Sequence, residues 1–314
     1  MKIIAIVLAI LVVVVIVFMV KSHFDSLKSY LDEDYYTSFS SEYTLEQKYP
    51  QTGSHEVLQT SMDSDDKAMG KYRIWYPAEL ASSNKKYPLI VVTNAINSAA
   101  LNYEPYFKRL SSWGFIVAGN DDRQAGKGAS TSITLDKMLS LSQQADSIFY
   151  QKIDADNVGL VGYSQGGAGA LRAATKFENS HVYKTISTGS AAYAQLAKNM
   201  GWEYDAAKIK IPYFMVAGTR KTDDSGNYGE KDFAGVAPLF SLKENYDKIS
   251  PSVLKVRARV KGAEHEDMLA QADGYMTAWM LWQLCGDAEA ASVFQGEASE
   301  LMTNARWQDI EKNC

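Results

Sequence analysis

One short stretch of the chain has the residue types and spacing of a serine nucleophile. Residues 162–167 read Gly-Tyr-Ser-Gln-Gly-Gly, with an apolar run at 158–161 before them and small residues at 168–171 after them. A buried strand, a Gly-x-Ser-x-Gly turn and a helix together present a serine hydroxyl at the tip of a sharp turn. Side chains at the two flanking glycines would crowd that turn. Ser164 is therefore the candidate nucleophile, and a purely structural glycine-rich turn is the alternative.

A serine hydroxyl becomes a good nucleophile only when a neighbouring base accepts its proton. After a serine on such a turn, an acid and then a histidine follow in chain order. Three of the four histidines fit that order poorly, because they precede the serine or follow it closely: His23, His55 and His181. His265 lies just after the last predicted strand, where a base can reach the turn. It is the predicted base, and a surface histidine at a helix start is the alternative.

The third residue of such a site is an acid that orients the imidazole and stabilises its charged form. We expect it on the loop that follows the predicted strand 211–217. Three aspartates lie there, and two of them must be ordinary turn residues. Asp223 is the first choice, Asp224 the second and Asp232 the third.

Two backbone amides should bind the negative charge that develops on the reacting carbonyl oxygen. One is expected from Gln165, directly after the candidate nucleophile. The second is expected from the loop after the predicted strand 88–93, where Ile96 is favoured and Ala95 is the neighbouring alternative. Asn94 in the same loop is either part of this site or a plain turn residue.

The elements around these residues alternate between strands and helices. Predicted strands cover residues 72–76, 88–93, 115–118, 158–163, 182–187, 211–217 and 253–260, and predicted helices cover 103–113, part of 133–150, 238–246 and 268–284. This alternation predicts an α/β fold with a mostly parallel, doubly wound sheet. The interval between residues 187 and 211 is short, so little or no cap domain is expected over the site.

The N-terminus has a different composition from the rest of the chain. Residues 3–20 are all apolar, and a helix of that length is about 27 Å long, enough to span the hydrocarbon core of a bilayer. A lysine occupies the candidate cleavage site at 20–22, which favours an uncleaved anchor over a cleaved signal peptide. We therefore expect a transmembrane anchor at 1–21, a stalk or linker at 22–53 and one folded domain at 54–314.

The two cysteines, Cys285 and Cys314, both lie near the C-terminus. We expect a disulfide between them, which requires an oxidising compartment, and two unrelated free thiols are the alternative. The expected location is the membrane with the folded domain outside the cell, or secretion if the N-terminal segment is cleaved. A net charge of −5 with no basic cluster gives no indication of a nucleic-acid partner. No motif for a metal or phosphate group is present either.

These residues resemble the α/β-hydrolase superfamily, and within it the dienelactone-hydrolase, chlorophyllase and polyester-hydrolase-like branch. The likeness is carried by residues 110–117, 162–167, 285–291 and 307–309, and it extends over roughly residues 55–314. The resemblance implies an α/β-hydrolase fold and hydrolysis of carboxylic esters without a cofactor. It also implies a site formed by Ser164, His265 and an acid near Asp223. The stretch 225–231 is longer than the acid loop of many members, which leaves the choice of acid open.

The expected activity is therefore ester hydrolysis through an acyl-enzyme intermediate on Ser164. The substrate would be a small-molecule or polymeric ester, and membrane contact would come only from the N-terminal segment. An acyltransferase or a peptidase could use the same residues with another acceptor. A membrane-tethered binding protein on this scaffold is a further alternative, which an intact set of reactive residues disfavours.

Overall fold

A computed structural model describes residues 28–229 and 232–314 of the chain. Within them, one nine-stranded sheet is formed by β1 (Val57–Asp63), β2 (Lys71–Pro77), β3 (Tyr87–Thr93), β4 (Ile116–Asn120), β5 (Ile153–Tyr163), β6 (Tyr183–Gly189), β7 (Tyr213–Gly218), β8 (Lys255–Val260) and β9 (Trp307–Lys312). The strand order is β1-β2-β4-β3-β5-β6-β7-β8-β9. Strands β3 to β8 pair in parallel, and β1, β2 and β9 run antiparallel to their neighbours at the two edges.

Helices cover both faces of this sheet. They are α1 (Thr44–Lys48), α2 (Glu104–Ser111), α3 (Ala129–Leu141), α4 (Gln165–Lys176), α5 (Ala194–Asn199), α6 (Leu239–Lys248), α7 (Met268–Gln271), α8 (Asp273–Met280), α9 (Ala288–Ser292) and α10 (Glu300–Thr303). Successive side chains of a strand point to opposite faces. In β3, Ile90 and Val92 accordingly pack in the core that includes α2 and α8, whereas Leu89 and Val91 pack in the core that includes α3 and α4. The predicted α/β fold with a mostly parallel, doubly wound sheet is confirmed.

The connection between β6 and β7 is as short as the sequence indicates. It contains the six-residue helix α5 and a short 3-10 turn at Ala206–Lys208. No cap domain is inserted in this connection, all of which the structure describes. The carboxyl ends of the central strands are therefore not covered from that side.

Two elements near the C-terminus differ from the prediction. The strand at 253–260 was expected to be the last, but β9 follows it and pairs antiparallel with β8. Only Trp307 of β9 is fully buried, so this edge strand has too little apolar alternation to be recognised. The helix predicted at 268–284 is divided by Ala272 into α7 and α8, and a π-helical turn at Leu281–Cys285 ends it.

Residues 28–53 pack against the domain, whereas the sequence predicts a stalk. Tyr35, Phe39 and Tyr49 are buried in this segment. At its start, the backbone amide of Tyr30 donates to the carbonyl of Asn102 at 2.8 Å, and the rings of Tyr30 and Tyr103 lie 5.4 Å apart. The segment is therefore part of the folded unit.

A fully buried ion pair fastens this segment to two helices. The guanidinium of Arg109 in α2 donates to the carboxylate of Asp273 in α8, and both side chains are almost inaccessible to solvent. Tyr35 donates its hydroxyl to the same carboxylate at 2.7 Å and accepts a hydrogen bond from Arg109 at 3.0 Å. Thr277 and the Tyr49 carbonyl accept two further hydrogen bonds from the guanidinium. Burial raises the pKa of Asp273 to about 6, although the charge of Arg109 opposes that rise.

Replacing Asp273 by alanine is expected to lower the free energy of unfolding by about 3–5 kcal/mol, because a buried arginine would lose its counter-charge. Arginine cannot relieve this cost by giving up its proton. Urea unfolding of the variant measures the effect. The exposed pair Lys248–Glu244 is the matched control, since Glu244→Ala should cost at most about 0.5 kcal/mol. Equal effects of the two substitutions would contradict the assigned role of the buried pair.

The predicted anchor at 1–21 lies outside the described residues. Within residues 28–229 and 232–314, no helix is both long and apolar enough to cross a membrane.

The predicted disulfide between Cys285 and Cys314 is wrong, because both cysteines are free. Cys285 ends the π-helical turn and is exposed. Cys314 follows β9, and its thiol donates to the carbonyl of Phe294 at 3.5 Å. The C-terminal tail is held instead by β9 itself, and Asn313 extends its pairing by donating through its backbone amide to the carbonyl of Lys255 at 3.3 Å.

Candidate active site

The candidate nucleophile lies on a strained turn between β5 and α4. Ser164 has φ 58° and ψ −122°, a positive-φ conformation that a serine rarely adopts. A Cβ atom on Gly162 would lie 2.2 Å from the carbonyl oxygen of Gly166, and one on Gly166 would lie 2.1 Å from the carbonyl oxygen of Thr93. Both positions therefore require glycine. The packing that forbids side chains there also holds the serine at the tip of the turn.

Ser164, His265 and Asp223 form a continuous chain of hydrogen bonds. The Oγ of Ser164 is 2.9 Å from Nε2 of His265, and Nδ1 of His265 is 2.6 Å from Oδ1 of Asp223. A carboxylate only accepts hydrogen bonds, so Nδ1 carries the proton and Nε2 is free to accept one from the serine. Ser164 and His265 each keep 8% of their surface exposed, and Asp223 is fully buried. Solvent and substrate can therefore reach the serine and the imidazole but not the acid.

Three separate strand ends bring these residues together. Ser164 follows β5, Asp223 lies after β7, and His265 lies after β8. The carboxyl ends of parallel strands meet at one edge of a sheet, which is where open α/β sheets form their sites. The parallel pairing from β5 to β8 places the three loops side by side, although His265 lies 101 positions after Ser164 and 42 after Asp223.

Asp223 is oriented by two donors on the oxygen that does not face His265. The backbone amide of Gly218 donates to Oδ2 at 2.6 Å, and the hydroxyl of Ser190 donates to the same oxygen at 2.5 Å. These bonds, and that from His265, fix the plane of the carboxylate.

Asp224 and Asp232, the other candidates for the acid, point elsewhere. Asp224 accepts hydrogen bonds from Arg259 at 2.6 Å and from Tyr228 at 2.5 Å. Partial burial favours its neutral form, but the bonds from Tyr228, the amide of Leu239 and Arg259 outweigh burial and hold its pKa below the ordinary value. Asp232 is exposed. Asp224 therefore orders the acid loop, and neither residue contacts the histidine.

The two amides predicted for a developing oxyanion belong to the start of α4 and to the loop after β3. Gln165 is the first residue of α4, and the first amides of a helix have no partner within the helix. Ile96 follows β3 in a loop that is held at both ends. Asn94 donates to the carbonyls of Asn120 and Asp122 at 2.7 and 2.9 Å, and the amide of Asn97 donates to the carbonyl of Arg123 at 2.8 Å. Among the described hydrogen bonds, none uses the amide of Ile96.

Two residues at the site were not singled out from the sequence. Tyr163 stacks on the imidazole of His265 with ring centroids 5.0 Å apart, and its hydroxyl donates to the carbonyl of His265 at 2.5 Å. Its place before the serine in the motif was the available signal. Burial, followed by the nearby charge of Asp223, raises the pKa of Tyr163, so the phenol stays protonated and can donate. For Ser190, no pattern in the neighbouring sequence indicates a place at the site.

The arrangement can transfer a proton from the serine to the histidine while the buried acid stabilises the imidazolium. This is the chemistry that activates a serine for attack on a carbonyl carbon. Among the residues that the structure describes, no group of three His, Cys, Asp or Glu side chains could hold a metal ion.

A family model described as PETase: PET hydrolase-like matches residues 21–219, more than half of the chain. The matched range includes Ser164 and both predicted oxyanion amides, and it ends before Asp223 and His265. No curated protein has a sequence that matches the chain.

Proposed function

The chain belongs to the PET hydrolase-like family of carboxylic ester hydrolases, and from this premise we propose that it cleaves esters with Ser164, His265 and Asp223 as its catalytic triad. The observation that carries the proposal is the pair of hydrogen bonds, 2.9 and 2.6 Å long, that joins these side chains at the carboxyl edge of the sheet. The family description also brings polyesters within the proposed range of substrates, beside small esters.

In the proposed first step, Ser164 attacks the ester carbonyl carbon while its proton passes to Nε2 of His265. The carbonyl oxygen becomes an oxyanion, which the amides of Gln165 and Ile96 stabilise. The carbonyl then re-forms, the bond to the alcohol oxygen breaks, and His265 returns the proton to the leaving alcohol. An acyl group remains on the serine.

In the second step, water attacks the acyl-enzyme. His265 takes a proton from the water as the new bond forms, and the same amides stabilise the second oxyanion. Collapse breaks the bond to Ser164, which recovers its proton from the imidazolium and releases the acid. Asp223 stabilises the imidazolium in both steps without itself taking the proton.

The test combines hydrolysis of a p-nitrophenyl ester series and a polyester film with labelling by a fluorophosphonate. We expect ester turnover, together with labelling of one serine that peptide mapping identifies as Ser164. The same chain unfolded in urea is the control and should not be labelled, since an isolated serine lacks its base.

Labelling of Ser164 without ester turnover would overturn ester hydrolysis as the activity. Product analysis with competing alcohols and peptides would then distinguish an acyltransferase from a peptidase. Labelling at another serine, or none in the folded chain, would overturn the assignment of the triad.

A further inference from the structure

Ser190 lies where the nucleophile, the acid and the sheet meet. It follows β6 directly and is fully buried. Its backbone amide donates to the carbonyl of Val216 in β7 at 2.7 Å. On one side of it, the carbonyl of Gly189 accepts from the amide of Ser164 at 2.9 Å, and on the other the amide of Ala192 donates to the carbonyl of Ser164 at 3.3 Å. The loop that carries Ser190 therefore holds the nucleophile on both sides.

The backbone of Ser190 is strained. Its φ is 48°, a left-handed conformation that costs energy for a residue with a Cβ and suits glycine. Within the described residues, positive φ without glycine occurs at Asn97, Gln151, Ser164, Ser190 and Asp309. Gln151 lies in a surface turn and Asp309 in an edge strand, Asn97 follows Ile96 in the loop after β3, and Ser164 and Ser190 lie at the candidate site. Residues kept in such conformations cluster where the strain serves a function.

The side chain of Ser190 supplies a hydrogen-bond donor, which glycine lacks. Its hydroxyl donates to Oδ2 of Asp223 at 2.5 Å, the oxygen that also accepts from the amide of Gly218 at 2.6 Å. Asp223 is fully buried, so bulk solvent does not contact its carboxylate in the folded protein. Without Ser190, one backbone amide alone would hold the far side of the carboxylate, and the plane of the acid relative to His265 would be less restricted.

We propose that Ser190 is a positioning residue for catalysis, which fixes the carboxylate of Asp223 through its hydroxyl and thereby orients His265. Strain in the backbone at position 190 is retained because glycine, which would relieve it, has no hydroxyl. The inference rests on the proposed triad and adds a fourth side chain to it. Ser190 touches neither the substrate nor the reacting atoms.

The experiment compares Ser190→Gly with Ser190→Ala in the full chain. Both remove the hydroxyl, but only glycine also relieves the left-handed backbone, so Ser190→Gly should be the more stable of the two in urea. We expect both to lower kcat by a similar factor, about 10- to 100-fold, the typical effect of losing a hydrogen bond to a charged group. KM should change little, because Ser190 does not contact the substrate. If Ser190→Gly keeps the kcat of the unmodified chain, or if kcat follows stability across the pair, Ser190 is only structural and the proposal is wrong.

A double-mutant cycle tests whether Ser190 acts through Asp223. Ser190→Gly is introduced into the chain with Asp223→Asn, and the rate of labelling by a fluorophosphonate is measured in all four proteins. We expect the loss caused by Ser190→Gly to disappear when Asp223 is already replaced, since residues that act as a unit are not additive. An equal loss in both backgrounds would overturn the proposal. If the unmodified chain neither turns over esters nor labels at Ser164, the proposed function itself has failed, which is a separate outcome.

Discussion

Replacing Ser164 by alanine is expected to lower kcat for ester hydrolysis by about 10⁶-fold, the loss found when the nucleophile of a serine triad is removed. Alanine cannot form the acyl-enzyme, so His265 has no proton to accept in the first step. The residual rate would come from the oxyanion amides and substrate binding. Turnover of a p-nitrophenyl ester at saturating concentration measures the effect.

Ser187→Ala is the matched control for this experiment. Ser187 is also a buried serine, and it lies in β6 directly beside β5, paired with Val161. It has no place in the proposed mechanism, so its replacement should leave kcat within about threefold of the unmodified chain, as is usual for small changes away from a site. Retained turnover in Ser164→Ala, with the fold intact by circular dichroism, would exclude Ser164 as the nucleophile.

Replacing Asp223 by asparagine is expected to lower kcat by about 10⁴-fold. The amide keeps the shape of the carboxylate but cannot stabilise the imidazolium, and its NH₂ group favours the wrong tautomer of His265. KM should change little, because Asp223 is fully buried and cannot reach the substrate.

Asp224→Asn is the control, since it makes the same chemical change at the adjacent position. Asp224 faces Arg259 and Tyr228, and its ion pair with Arg259 is largely buried. Its replacement should therefore reduce stability, whereas kcat should fall by less than about tenfold because Asp224 does not orient His265. Equal losses of kcat in the two variants would show that the acid has been assigned to the wrong residue. Urea unfolding of both proteins separates the effect on stability from the effect on catalysis.

The central fold could be predicted because its strands are buried on both faces. Runs such as 88–93 and 158–163 are almost continuously apolar, which is typical of parallel strands between two layers of helices. The glycines around Ser164 and the place of His265 after β8 are local signals of the same kind. Such signals depend only on neighbouring residues and on the order of elements along the chain, and both can be read from the sequence.

The remaining features depend on contacts between distant parts of the chain. The choice between Asp223 and Asp224 turns on which carboxylate Arg259 holds, and Arg259 lies 35 positions further along. Ser190 is separated from Asp223 by 33 positions, so the hydrogen bond between them has no local signal in the sequence. Pairing of β9 with β8 stabilises an edge strand whose own pattern is weak. The disulfide was inferred from the presence of two cysteines, and their relative positions could not be read from the sequence.

Because residues 28–53 pack against the rest of the fold, they limit where a shortened form of this protein can begin. A fragment that begins at residue 54, the domain boundary indicated by the sequence, would lack Tyr35 and Tyr49. It would expose Arg109 to water and leave Asp273 without the hydrogen bond from Tyr35. It would also remove Tyr30, whose hydroxyl lies 3.2 Å from the hydroxyl of Ser98, two residues after Ile96. A fragment for expression and crystallisation should therefore start no later than residue 28.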